Sequence, residues 1–253
     1  LYCRNGEAPI PLIAAATPGD CFYAAYEASR VALKYMTPVV LLTDGYLANG
    51  SEPWKIPDVK GLKSIDVKFV DGVKDGEEYL PYLRDEKTLA RPWAIPGIPG
   101  LEHRVGGLEK EENTGHVSYD PDNHHRMVEI RQEKVNRIQN DIAETEVYGE
   151  ENGDVLILSW GGTFGSCRSA VESLLEKGKS VSHVHLRWIS PLPKDLAEII
   201  IKFKNVLVPE INMGQLIKLI RSEYLVDAKG LNQVNGKPIS TSKIIETVNK
   251  MIG

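Results

Sequence analysis

Ile10-Pro11-Leu12-Ile13-Ala14-Ala15-Ala16, followed by Thr17-Pro18-Gly19-Asp20, decides how the chain begins to fold. The first run is apolar and reads as a strand. The tetrad after it is a helix start: Thr17 is a capping type, Pro18 suits the first helical position, and Asp20 sits where the helix dipole is positive. Phe22, Ala25, Tyr26, Ala28, Ala32, Leu33 and Met36 then share one broad apolar face. Thr37-Pro38 stops the helix, and Val39–Leu42 is an unbroken β-branched and leucine run. A strand without alternation is normally covered on both faces, as in a parallel sheet. Strand, helix and strand in this order form a βαβ crossover. One such unit does not close a sheet, so the remaining strands are expected to precede Leu1 or to come from another chain.

The same alternation returns from Gly153. Val155–Ser159 reads as a strand, Gly161-Gly162 as a turn, and Ser166–Lys177 as a helix closed by Gly178. Ser180–Leu186 and Val206–Val208 read as further strands. Lys194–Lys204, Gly214–Leu225 and Ser240–Ile252 read as helices. This rhythm predicts a doubly wound α/β domain. Residues 44–150 lack it, and Pro and Gly recur through them. A stretch of that length is expected to wrap a surface or a partner rather than hang free. One helix stands out within it: Asp120-Pro121-Asp122 starts it, and Met127, Ile130, Lys134, Val135, Ile138 and Ile142 recur at helical spacing. The fold class is therefore α/β, with boundaries expected at 1–52, 53–152 and 153–253.

The bulk numbers exclude several classes. With 42% hydrophobic and 26% charged residues the 253-residue chain reads as a soluble globular protein. A net charge of −5 gives no general pull toward nucleic acid or an anionic membrane. No run approaches the roughly 20 apolar residues of a membrane span. Cys3, Cys21 and Cys167 are too few for an iron–sulfur cluster, which takes about four thiolates. They read as free thiols in a reducing cytoplasm. The chain opens on Leu1 with no signal peptide, and reads as a processed, tagged or truncated product.

Asp44-Gly45-Tyr46 leaves the carboxyl end of the Val39–Leu42 run, the edge where open parallel sheets gather ligands. A turn on Gly45, with Asp44 capping local amides, accounts for it equally well. Gly161-Gly162-Thr163-Phe164-Gly165 lies where amides cradle a phosphate at a helix start. It lacks the dinucleotide fingerprint and its acidic partner, so a tight turn is the better reading. His124 and His125 would point about 100° apart on a helix, and His183 and His185 share a strand face without a third ligand. No metal site is expected from them, and no nucleophile elbow is present.

Segments spread over nearly the whole chain resemble the alpha subunit of 2-oxoacid:ferredoxin oxidoreductases. They include Gly6-Glu7-Ala8-Pro9, Thr37 through Tyr46, Gly50-Ser51-Glu52-Pro53-Trp54 and Arg91-Pro92-Trp93-Ala94-Ile95-Pro96-Gly97. Glu102 through Glu109, Leu158-Ser159-Trp160-Gly161 and Val208 through Leu216 complete the set. Each is weak alone; their joint order is specific, and it is most similar to the 2-oxoglutarate branch. The resemblance implies that 1–52 closes the pyrimidine-binding domain of a thiamine diphosphate enzyme. It implies that 153–253 is a transketolase C-terminal-like domain, chiefly an assembly element. It implies a beta subunit that grips thiamine diphosphate and Mg²⁺ at the shared interface and carries a 4Fe–4S cluster, with gamma and delta subunits as further partners. Ferredoxin, CoA and a 2-oxoacid are the implied reactants, with pyruvate or branched-chain substrates as the alternative to 2-oxoglutarate, and a non-catalytic assembly role as the alternative to an enzyme subunit. The family's catalytic segments match nothing here and would precede Leu1. No catalytic residue is therefore carried over: Asp44, Gly45 and Tyr46 are expected only to line the site, and Arg4, in another family-like segment, has no assigned role.

Overall fold

The computed structural model describes residues 5–74 and 76–253; Cys3 and Arg4 lie outside the described residues. The chain forms two compact units from interleaved segments. The first comprises Leu1–Pro11, Tyr26–Val40 and Ile56–Asp141; the second comprises Leu12–Ala25, Leu41–Lys55 and Ile142–Gly253.

The predicted opening is present as β1 (Leu12–Ala14), α1 (Asp20–Tyr35) and β2 (Val40–Leu42). Val40 N donates to Pro11 O at 3.0 Å and Ala15 N to Leu42 O at 3.2 Å, so the two strands run in the same direction. The third strand of this sheet comes from within the chain: Trp188–Ser190 (β8, numbered in chain order) pairs antiparallel with β1, giving the order β2-β1-β8. Among the described residues β2 has β1 as its ladder neighbour, and Val40 is 37% exposed.

In the first unit, the Pro- and Gly-rich segment packs on its own helices. The short pair β3 (Phe69–Val70) and β4 (Trp93–Ala94) is parallel. Trp93 Nε1 donates to Leu33 O of α1 at 3.0 Å. The helix α3 (Pro121–Arg137) starts as the sequence predicts: Asp120 accepts from Asp122 N, with Pro121 in the first turn. It buries Met127, Ile130 and Val135. Its inward lysine, Lys134, donates to Met36 O at 3.0 Å, which satisfies one proton of a cation otherwise costly to bury.

The second unit holds a five-stranded sheet in the order β10-β9-β6-β7-β5. Its strands are β5 (Val147–Tyr148), β6 (Gly153–Trp160), β7 (Val181–Leu186), β9 (Phe203–Glu210) and β10 (Lys229–Asn232). All neighbours pair parallel except β5, which is an antiparallel edge. On one face, Val155 and Ile157 meet Cys167, Ala170, Val171 and Leu174 of α4 (Phe164–Leu175) and Ile244 and Val248 of α7 (Thr241–Ile252). Each buried Val, Leu or Ile side chain here is worth about 1.5–3 kcal/mol of transfer free energy. The helices α5 (Leu196–Ile200) and α6 (Gln215–Tyr224) pack on β9. The predicted helix 194–204 shrinks to α5 because Phe203 already pairs with Gly153 in the ladder, which starts β9 three residues before Val206.

Candidate functional site

The carboxyl ends of β2 and β6 are tied together by one carboxylate within the second unit. Asp44 Oδ1 accepts from Tyr46 N at 2.9 Å and Leu47 N at 3.0 Å, capping the short helix α2 (Gly45–Asn49). Asp44 Oδ2 accepts from Gly162 N at 2.8 Å, in the turn between β6 and α4. The sequence placed these two motifs 118 residues apart, and the fold makes each the partner of the other. The amide best placed to cradle a phosphate in Gly161–Gly165 is thus taken by the chain's own carboxylate. Tyr46 stays 62% exposed, and a Cβ added at Gly45 would meet nothing.

At Gly162 the approach is too close for a side chain: a Cβ there would sit 2.3 Å from Asp44 Oδ2. Gly162→Ala is expected to break this tie and cost about 1–3 kcal/mol, the usual range for overpacking. Denaturant titration checks it; a loss below a few tenths of a kcal/mol would mean that the loop simply shifts aside.

A second carboxylate was missed from sequence. Glu52 Oε1 accepts from Gly19 N at 2.6 Å and Thr17 Oγ1 at 2.8 Å, satisfying donors at the start of α1. Asp20, beside it, accepts from Ala16 N at 2.9 Å and pairs with Arg187. A Cβ at Gly19 would fall 2.3 Å from Glu52 Oε1 and 2.7 Å from the Trp54 ring, so any side chain there would have to push both aside. Trp54 lies 5.5 Å from Phe22, which lies 5.4 Å from Tyr23, all partly exposed. The quoted segment Gly50–Trp54 carried this signal, but nothing local connects it to residue 19.

His124 and His125 face different carboxylates, whereas His183 and His185 converge on one hydroxyl. His124 pairs with Glu109 at 2.8 Å and His125 with Glu129 at 3.5 Å, on different carboxylates. His183 Nε2 and His185 Nδ1 each lie 2.7 Å from Ser159 Oγ. Cys167, buried under the same turn, has its thiol pushed up to about 12 by burial, which makes it an inert packing thiol. Among the described residues no group of three or more His, Cys, Asp or Glu side chains is arranged to hold a metal ion.

Two family models match in chain order. One, described as pyruvate flavodoxin/ferredoxin oxidoreductase, thiamine diphosphate-binding, covers residues 1–120. The other, pyruvate:ferredoxin oxidoreductase core domain II, covers residues 153–244. The chain belongs to the 2-oxoacid:ferredoxin oxidoreductase family.

Within that family, the chain is 46% identical over 238 residues to the 2-oxoglutarate oxidoreductase subunit KorA of Mycobacterium tuberculosis, spanning 93% of this chain and 36% of that protein. It is 29% identical to the alpha subunit of a 2-oxoacid:ferredoxin oxidoreductase of Aeropyrum pernix, spanning 98% of this chain and 39% of the relative. The solved 2-oxoglutarate:ferredoxin oxidoreductase of Magnetococcus marinus, with 2-oxoglutarate, coenzyme A and succinyl-CoA bound, superposes with a TM-score of 0.91. That match has 31% identity and covers all of this chain and 44% of that one. The chain thus spans well under half the length of these members of the family.

A thiamine diphosphate at this edge would meet Asp44, a carboxylate already serving its own loop and the turn after β6. Asp44 Oδ1 accepts from two backbone amides and Oδ2 from one, so the carboxylate is held as a structural tie with one lone pair of Oδ2 left over. Tyr46 and Gly45 add no charged group beside it.

Proposed function

We propose that the chain is part of the alpha subunit of a 2-oxoglutarate:ferredoxin oxidoreductase, the 2-oxoglutarate synthase reaction. In that reaction 2-oxoglutarate and CoA give succinyl-CoA and CO₂, and two electrons pass singly to ferredoxin, or the reverse. The observation that supports the branch is the identity to the KorA subunit, which extends through both family domains. Thiamine diphosphate would supply the carbanion chemistry, bound with Mg²⁺ at the interface with a beta subunit that also carries the 4Fe–4S cluster. This chain's own contribution is positional. Asp44, Gly45 and Tyr46 line the cofactor edge, and the Asp44–Gly162 bond holds that loop against the neighbouring strand. Without the segments and subunits that complete the site, the chain alone is expected to be inactive.

The test is an anaerobic assay of the full-length protein with its native partners, following CoA-dependent reduction of a low-potential dye. Turnover with 2-oxoglutarate and not pyruvate is expected. Turnover with pyruvate or a branched-chain 2-oxoacid instead would overturn the branch. No turnover by a complex that holds thiamine diphosphate and iron would favour the assembly role for residues 153–253. That second reading draws support from the internal satisfaction of Asp44 and Gly162. Deleting 153–253 separates the two: loss of subunit association with cofactor retained points to assembly.

A further inference from the structure

The first unit contains a cavity of about 450 Å³, within the size range of small-molecule sites. Five cationic side chains line it, Arg30, Lys34, Lys68, Arg84 and Arg91, against two carboxylates, Asp66 and Asp85. The wall carries a formal excess of three positive charges in a chain whose net charge is −5.

Three of the cations are answered by their own partners. Arg30 pairs with Glu27 at 2.7 Å and Asp141 at 3.5 Å, Lys34 with Asp141 at 2.6 Å, and Lys68 with Asp85 at 2.7 Å. Arg84 and Arg91 have no carboxylate in ion-pair reach among the described residues. Arg84 donates to Tyr82 O at 3.1 Å and Glu112 O at 3.0 Å, and touches Met127 Sδ at 3.8 Å. Glu112, the carboxylate that most offsets its charge, is 3.5 Å from Arg126 instead. Arg91 donates one N–H to Pro81 O at 3.2 Å. The two guanidinium groups flank one ring, 5.7 and 4.2 Å from the Tyr82 centroid.

Holding them there has a cost. Burial, with Arg91 adding to it, pushes the Arg84 pKa down. Nearby Lys134 is lowered to about 8, first by burial and then by Arg84, Arg91 and Arg131. Arg91 keeps most of its fork for a bidentate oxyanion, while Arg84, its Nη1 protons on backbone oxygens, adds charge and its remaining donors. A phosphate group brings a charge of about −1.5 to −2 and three strong acceptor oxygens, which suits two such cations better than a single carboxylate does. The rest of the wall, Leu33, Leu83, Ala90, Pro92 and Trp93, suits an uncharged body.

We propose that this cavity binds a small phosphate-bearing molecule, with its oxygens on Arg91 and Arg84 and its uncharged body against Trp93 and Leu33. The test is calorimetry on the full-length protein in its native complex, with phenyl phosphate, benzoate and inorganic phosphate as probes at fixed ionic strength. Phenyl phosphate is expected to bind more tightly than either of the others. R91Q is expected to weaken it at least about tenfold, the effect of losing charge-assisted hydrogen bonds, with R91K intermediate. Absence of binding by the wild type overturns the proposal, as does equal binding by R91Q. So does equal affinity for inorganic phosphate and phenyl phosphate, which would mean an adventitious ion only. If R91Q does not fold, protection of Arg91 from phenylglyoxal by phenyl phosphate in the wild-type complex, read by mass spectrometry, decides. Protection supports the site; an unchanged rate overturns it.

Discussion

Lowering the pH from 7 to 5 is expected to destabilise the second unit by about 2 kcal/mol or more, because two histidines buried under α4 resist protonation. His183 is 1% exposed, and burial, followed by the Arg168 charge, lowers its pKa to about 3. His185 is also lowered to about 3 by burial, then by His183, Arg187 and Arg168. The sign follows from where the protons go. Between about 6.5 and about 3 the unfolded chain takes up protons that the folded chain refuses, so stability is full above pH 6.5 and falls as the pH drops. One histidine held neutral at pH 5 represents about 1.5 pH units, or roughly 2 kcal/mol.

The hydrogen bonding explains why neither ring has an easy route to the charged form. Ser159 has one proton, so it donates to one of the two facing nitrogens and accepts from the other. The far nitrogens, His183 Nδ1 and His185 Nε2, are buried without partners; on one ring an added proton would land there with no acceptor, and on the other it would displace the Ser159 proton from the near nitrogen. Phe164 meets the His185 ring edge-to-face at 5.0 Å and the His183 ring at a tilt at 6.0 Å, closing the pocket with carbon. Denaturant titrations at pH 7 and 5, with the imidazole C2–H signals followed by NMR, check this. A ring titrating near 6.5 while the protein stays folded would sink it.

Replacing Glu210 by Ala is expected to cost about 3 kcal/mol or more, the largest effect of any single change in the second unit outside its apolar core. The side chain is fully buried at the end of β9. Its Oε1 accepts from Leu216 N at 2.8 Å, Asn212 Nδ2 at 3.1 Å and Trp160 Nε1 at 3.2 Å, and its Oε2 from Ile217 N at 3.1 Å. Asn212 Oδ1 takes the two preceding amides, Gly214 N at 2.8 Å and Gln215 N at 2.9 Å. Together these two side chains satisfy four consecutive amides at the start of α6, the donors a helix leaves without partners. A negative charge there also meets the positive end of the helix dipole. Glu210→Gln keeps one acceptor for three donors and sets an N–H against Ile217 N, so its loss is expected to be smaller, about 1–2 kcal/mol. Equal losses for Ala and Gln, measured by chemical denaturation, would show that volume rather than hydrogen bonding sets the cost.

Glu210 shows where sequence reading stops. Its segment, Val208 through Leu216, was quoted for its resemblance alone. The reason for its composition is a strand end feeding a helix start with one tight turn, in which Gly214 takes φ +85°. Asp44 and Glu52 are similar: a carboxylate near a glycine is a weak local signal, and its partner lies 118 residues away in one case and 33 in the other. The cationic cavity was equally invisible. Arg30, Lys34, Lys68, Arg84 and Arg91 are scattered over two segments without a common period, and only packing brings them to one wall.

The sequence by itself determined the α/β class, the positions of α1, α3, α4, α6 and α7, and the parallel core of the second sheet. Those features follow from short-range physics: apolar periodicity, Pro and Gly as punctuation, and capping residues that act within four positions. It also determined the family, through the order of several weak segments. Tertiary structure alone decided that β8 pairs with β1 in the first sheet and that Asp44 is bound to Gly162. Each depends on which surfaces meet after the chain has closed long loops, and no local propensity encodes that choice.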